Sequence, residues 1–257
     1  SNAFIVHDLK VISETAERLG KKADADRYRR QMEATTEAYI RKFVSKKGIV
    51  AKDYQSAYIM ALKFVLPEGE LREQVKKNFA ANIRKNGLQT GFFATEHLLP
   101  LLVEAGETEL AYDILLQEGC PGWMYQVKCG ATTTWERWDA LKPDGTVNEE
   151  KMAGSGDNMV SFNHYAFGSV GEFYYQYILG IKPQKPGFAE LHFEPYPDRR
   201  LGGVSGSYLS RAGKIESSWK YEEDGCHISL NTPVKSEVVL PDGKKETVEA
   251  GTYQWLC

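Results

Sequence analysis

The chain is poor in cysteine. It has only Cys120, Cys129, Cys226 and Cys257, and no two of them form a CxxC pair. Its five histidines are scattered, so no zinc-binding spacing arises. A disulfide framework is a device of small secreted domains and is not expected across 257 residues. No apolar run is long enough to span a bilayer. A polybasic run is also missing: Lys and Arg number 32 against 35 Asp and Glu, a formal net charge of −3. Nucleic acid and anionic membrane are therefore poor partners. No exact short repeat argues for a solenoid, and nothing in the pattern asks for a metal or another cofactor.

What remains is ordinary globular material, 42% hydrophobic and 26% charged. Its length suits one large domain or two. Aromatics reach 12%, with five Trp and fourteen Tyr. That content suits a sugar-binding cleft, although most of these rings belong to a core. Residues 1–3, Ser1-Asn2-Ala3, read as the scar of an expression tag. A signal peptide is then not legible, and the compartment stays unassigned.

Residues 4–182 read as helical hairpins. Ile5, Leu9, Ile12, Ala16 and Leu19 recur at spacings of three and four, and Gly20 closes the helix. Tyr28, Met32, Thr36, Tyr39 and Phe43 make a second stripe. A third runs from Tyr54 to Val65 with Asp53 as its expected cap. Stripes from Leu71 to Ile83, Phe92 to Val103 and Leu110 to Leu115 follow. Short connections between similar helices predict antiparallel neighbours, hence a bundle or an α/α toroid.

From Gly119 to about Asn158 the periodicity stops. Gly154-Ser155-Gly156 in this stretch predicts a mobile tip. The stretch also holds Gly130-Ala131-Thr132-Thr133-Thr134-Trp135-Glu136-Arg137-Trp138-Asp139. Three hydroxyls, two indoles, two carboxylates and a guanidinium are hard to bury, since each buried polar group needs a partner. A carbohydrate site uses that mixture, with indoles stacking on a sugar and polar groups bonding its hydroxyls. A carboxylate beside them is a candidate acid or base. The competing reading is a buried structural ion pair. A seventh helix is expected from Phe162 to Ile178, with Asn163 and His164 in its first turn, at the same end as the Trp-rich loop.

Residues 183–257 change period to two. Leu191 and Phe193; Ile215, Ser217, Trp219 and Tyr221; and Cys226, Ile228 and Leu230 each alternate with polar residues. Gly225 and Pro241-Asp242-Gly243 mark hairpin turns. An antiparallel β-sandwich follows, with Trp219 and Trp255 placed in its core rather than on a sugar platform.

Several stretches resemble one family. They are Gly91-Phe92-Phe93-Ala94-Thr95 with Leu98-Leu99-Pro100, Leu110-Ala111-Tyr112-Asp113, ATTTWERWD from Ala131, and SFNHYAFGSV from Ser161. Together they resemble the C-terminal part of a bacterial α-L-rhamnosidase of glycoside hydrolase family seventy-eight. The resemblance runs from about Lys52 to the end. It implies a mainly α chain with a C-terminal all-β module: a partial (α/α) six-hairpin toroid followed by the β-sandwich. It implies inverting hydrolysis of terminal α-L-rhamnosides, with rhamnose-containing glycosides or polysaccharide as partners, in the periplasm or the cytoplasm of a bacterium. Glu136 matches the family's general base and His164 a residue lining the rhamnose pocket. Asn163, Trp123, Trp135 and Trp138 are candidate substrate contacts.

The family's general acid lies in an acidic motif that has no counterpart here, and Glu96, Asp139 and Asp157 do not sit in one. A complete toroid has twelve helices, and about seven are legible. The expectation is a fragment, inactive alone, whose exposed helix faces lead to self-association or to a rearranged N-terminal region. Two alternatives stay open: a toroid glycosidase for another α-linked sugar, and a non-enzymatic carbohydrate-binding or scaffold piece.

Overall fold

The computed structural model describes residues 2–150 and 160–257. The Gly154–Gly156 tip and Asp157 lie outside the described residues. The chain divides into two compact units, 1–167 and 168–257.

The first unit is built from three successive helical hairpins. They are α1 (Asn2–Arg18) with α2 (Lys22–Phe43), α3 (Gln55–Phe64) with α4 (Glu70–Asn86), and α5 (Phe92–Glu104) with α6 (Thr108–Leu116). α1 packs on α3 and α3 on α5, which makes these three an inner row. Composition explains the row. Tyr58, Ile59, Met60, Ala61 and Leu62 of α3 are all buried, as are Leu98, Leu99, Leu101 and Leu102 of α5. A helix apolar on every side is stable only when neighbours surround it. Arg72, buried on α4, donates to the carbonyls of Leu62 and Leu66 and so caps the end of α3. Gly106 ends α5 with φ of +76°, a conformation that a β-carbon disfavours.

Four expectations are corrected in this unit. α1 buries Ala3, Val6, Ser13 and Ala16, while Ile5, Ile12 and Leu19 of its longer apolar stripe are exposed. Small residues let α2 approach closely, and the Ser13 hydroxyl donates to the Ala25 carbonyl at 3.0 Å. Asp53 does not cap α3. Tyr54 holds the cap position without a side-chain bond, and Asp53, at φ +69°, accepts instead from the Tyr58 hydroxyl at 2.8 Å. The Trp-rich stretch is not wholly irregular, because Trp123–Lys128 forms a short helix, α7. Six residues are too few to show a period. Finally, Asn163 and His164 precede the last helix rather than opening it. Ala166–Ser169 is a 3-10 turn, followed by α8 (Val170–Phe173) and a π turn (Tyr174–Ile178).

In the second unit, β1 (Ile181–Pro183), β2 (Leu191–Phe193), β6 (Ser236–Val239) and β7 (Lys245–Val248) form one sheet in the order β1-β2-β6-β7. β3 (Gly203–Ser210), β4 (Gly213–Glu222), β5 (Gly225–Thr232) and β8 (Gly251–Leu256) form the other in the order β3-β4-β5-β8. Alternation reads correctly onto the faces: Leu191, Phe193, Ile215, Ser217, Trp219, Cys226, Ile228 and Leu230 are all buried. Trp219 donates its indole N–H to the Ile178 carbonyl at 2.7 Å. Trp255 is only half-buried, with its N–H on Glu246 at 2.6 Å. One pairing departs from the antiparallel expectation, since β2 and β6 run parallel. The chain between them lays β3, β4 and β5 into the other sheet, the kind of long crossover that a parallel pair requires. Alternation carries no information about direction.

Candidate active site

The loop carrying the ten polar and aromatic residues is held from below. Trp135 is 3% exposed and packs with Tyr125 and Ala140 in a small satellite core. Its backbone N–H donates to the Gln126 side chain at 3.2 Å, and its ring meets Phe162 edge-on at 5.5 Å. Trp123, also buried, donates its indole N–H to the Phe167 carbonyl at 2.8 Å. Trp138 is half-buried. It stacks on Phe167 at 3.8 Å, meets Trp123 edge-on at 5.0 Å and donates to the Thr90 carbonyl at 3.3 Å. These indoles anchor the loop, and of the three only Trp138 keeps part of its surface accessible.

The second wall of the loop is the segment 161–164, joined to it by ladder-like bonds. The Glu136 N–H donates to the Ser161 carbonyl and the His164 N–H to the Thr134 carbonyl, both at 2.9 Å. The Thr134 hydroxyl donates to the His164 carbonyl at 2.7 Å, and Thr133 does the same to Phe162 at 2.5 Å. Two of the three threonine hydroxyls therefore hold the loop in place. The Glu136 carboxylate takes the Ser161 N–H on Oε2 at 2.8 Å. Its other oxygen makes no hydrogen bond among the described residues.

His164 is stacked on Phe92 at 4.6 Å and on Tyr165 at 5.4 Å. Its Nδ1 accepts the Ala166 N–H at 3.3 Å. In a neutral ring the proton then resides on Nε2, which becomes a donor. Asn163 is exposed, and its backbone N–H donates to the Ser161 hydroxyl at 3.2 Å. Through Phe92 this site adjoins a cavity of about 890 Å³ at the N-terminal ends of α1, α3 and α5. Phe4, Tyr39, Phe43, Tyr54, Phe92 and Phe93 line it. The sequence assigned most of these rings to helix stripes, and nothing local distinguished a cavity wall from a core face.

The other half of the motif forms an ion pair, partly exposed on the Asp139 side rather than buried. Arg137 grips Asp139 with two bonds of 2.7 and 2.9 Å, and Asn148 adds a third to Asp139 at 2.8 Å. The Arg137 guanidinium holds the Asp139 carboxyl below its ordinary range. A carboxylate so held stays ionised near neutral pH and cannot donate a proton there. Glu96 is exposed on α5. Among the described residues, one cluster could hold a metal: Glu222, Asp224 and His227, whose ligand atoms lie within 4.8 Å of one another. It is on the exposed β4–β5 turn, and the Lys220 ammonium already pairs with Glu222 at 2.9 Å.

Comparison with known proteins also divides the chain in two, near residue 179. Residues 1–178 match the bacterial alpha-L-rhamnosidase 6 hairpin glycosidase domain, and residues 180–254 the bacterial alpha-L-rhamnosidase C-terminal domain. An α-L-rhamnosidase of Alteromonas sp. (strain LOR) is 35% identical over 247 residues, covering 94% of this chain and 26% of the relative. One from Streptomyces avermitilis is 32% identical over 253 residues, covering 97% and 24%. Among solved structures, native α-L-rhamnosidase from Aspergillus terreus superposes with a TM-score of 0.89 at 30% identity, over 98% of this chain and 29% of that one. The Streptomyces avermitilis enzyme complexed with L-rhamnose gives 0.89 at 30%, over 99% and 26%. The chain spans about a quarter of the length of the curated relatives it matches. No helix among the described residues is long and apolar enough to cross a membrane. With three helical hairpins, a two-sheet module and both domain matches in chain order, this chain belongs to the bacterial α-L-rhamnosidase family.

Proposed function

We propose that this chain supplies the water-activating half of an α-L-rhamnosidase that hydrolyses terminal α-L-rhamnosides with inversion. The observation that carries this reading is the posture of Glu136. One carboxylate oxygen is fixed by the Ser161 backbone N–H, and the other, without a hydrogen bond among the described residues, is left to accept a proton from water. In an inverting site the base stands roughly 6.5–9.5 Å from the acid, with the water held near the base. The family resemblance places the acid in a motif this chain lacks; of the local carboxylates, Asp139 is locked to Arg137, Glu96 is exposed, and Asp157 lies outside the described residues. His164, stacked on Phe92 and on Tyr165, presents Nε2–H to a sugar hydroxyl, and Trp138 offers its accessible surface as a wall. The relative complexed with L-rhamnose supports that choice of sugar.

The test is hydrolysis of an aryl α-L-rhamnoside by a protein of the relatives' full length, followed by proton NMR. The β-anomer should appear first. Initial release of the α-anomer would overturn inversion, and cleavage of a different aryl glycoside alone would favour the other-sugar reading. Binding of sugar with no hydrolysis by that full-length protein would favour the non-enzymatic reading. This chain alone should show no turnover.

We further infer that the exposed Ile5, Val11 and Ile12 of α1, with Leu19 just beyond its end, drive self-association when nothing covers them. Light scattering on a concentration series should show mass rising with concentration, and Ile12→Glu should lower it. A strictly monomeric chain at all concentrations would refute this.

A further inference from the structure

We propose that Cys226 and Cys257 are a thiol pair that a low-molecular-weight disulfide oxidises to a cross-strand disulfide bond. The two residues are far apart in sequence, and nothing in their spacing announces a pair. The sheet register joins them. β5 and β8 run antiparallel with Ile228 opposite Trp255 and His227 opposite Leu256. One step further puts Cys226 opposite Cys257, and their backbones exchange both hydrogen bonds. Cys226 N–H donates to the Cys257 carbonyl at 2.8 Å, and Cys257 N–H to the Cys226 carbonyl at 3.0 Å.

A pair that exchanges both bonds holds its Cα atoms about 5.5 Å apart. That falls inside the range of roughly 4.4–6.8 Å over which disulfides form. Directly opposed residues also project from the same face of the sheet. Gly225 permits the close approach: a β-carbon there would meet the Cys257 carbonyl oxygen at 2.7 Å and the Leu256 side chain at 2.9 Å.

The two thiols differ in access, and that orders the chemistry. Cys226 is 3% exposed, whereas Cys257 is only half-buried. The Cys257 thiolate attacks one sulfur of the external disulfide. One thiolate leaves, and a mixed disulfide remains on Cys257. The Cys226 thiolate then attacks Cys257 Sγ and expels the second external thiolate. The protein loses two protons and two electrons, and the external disulfide is reduced to two thiols. In hydrogen-bonded cross-strand pairs the β-carbons stand further apart than in the alternate positions. The bond therefore closes under strain, and a small thiol should reopen it readily.

The test is incubation of the native chain with oxidised glutathione, then alkylation and peptide mass mapping without reduction. The Cys226 and Cys257 peptides should appear joined, lighter by two hydrogens, and should separate on adding dithiothreitol. Cys120 and Cys129 serve as the internal comparison. In the linked protein the β8 amides should exchange hydrogen about tenfold more slowly. The Cys257→Ser chain should leave Cys226 unmodified, because its thiol is buried. Three results would each overturn the proposal: glutathione stranded on Cys257 with no cross-link, a link confined to Cys120 and Cys129, or equal reaction of Cys226 in the Cys257→Ser chain.

Discussion

Replacing Glu136 by Gln in the full-length protein is expected to lower kcat about 10³-fold while leaving the thermal midpoint nearly unchanged. The two effects separate because the carboxylate does two jobs. Its structural job is to accept the Ser161 N–H at 2.8 Å, and a glutamine carbonyl can accept the same bond. Its proposed chemical job is to take a proton from water, which a neutral amide cannot do. KM should change little if the water, rather than the sugar, is what Glu136 holds. Stopped and continuous assays with an aryl rhamnoside, beside thermal unfolding of both proteins, read both quantities. Undiminished kcat would remove Glu136 from the mechanism. A large fall in the midpoint would assign it to the scaffold, where its bond to Ser161 ties the loop to the segment carrying His164.

The second large effect concerns stability. Trp219→Ala should cost about 3–5 kcal/mol, enough to unfold the β module under mild denaturant. Trp219 is 2% exposed and its indole N–H is spent on the Ile178 carbonyl. Truncation leaves both a cavity and an unpaired buried acceptor. Trp219→Phe keeps most of the volume and should cost less, chiefly through the lost bond. Trp255→Ala makes the comparison. It sits in the same sheet, but it is half-buried and its N–H partner is the side chain of Glu246, which water can replace. Urea unfolding of the three variants should rank Trp219→Ala as the most damaging. Equal losses for Trp219→Ala and Trp255→Ala would mean that burial does not set the energetics of this sheet.

Much of the architecture was legible in the residues, and the reasons differ by element. The stripes of α2 to α6 and the alternation in β4 and β5 are local signals, because the periods of 3.6 and 2 follow from backbone geometry alone. The turns at Gly225 and Pro241-Asp242-Gly243 were legible for a similar reason. What failed did so where local chemistry is degenerate. α7 is too short to show a period. The apolar stripe of α1 looked like a buried face, yet the small-residue face is the one that packs, because closeness to α2 depends on the partner's shape. The start of the last helix slipped from Phe162 to Ala166, since the residues between them are committed to the ladder with Thr133, Thr134 and Glu136.

The candidate site divides along the same line. The residues alone singled out the stretch Gly130 to Asp139, because a dense mixture of carboxylate, hydroxyl and indole is costly to bury without purpose, and the family resemblance picked Glu136 within it and His164 beyond it. Local chemistry could not say which member did what. Arg137 and Asp139 proved to be a structural pair, the Trp123 and Trp135 indoles anchors, and two threonine hydroxyls tethers for the loop. Only tertiary structure could settle those roles. Each depends on a partner distant in the chain: Asn148 for Asp139, Gln126 for Trp135, Phe92 for His164. The same holds for the direction of β2 against β6 and for the meeting of Cys226 with Cys257. Periodicity determined which segments are helix or strand and which of their strand faces are apolar. Register, strand direction and the pairing of distant side chains arise only when segments meet, and no local pattern encodes them.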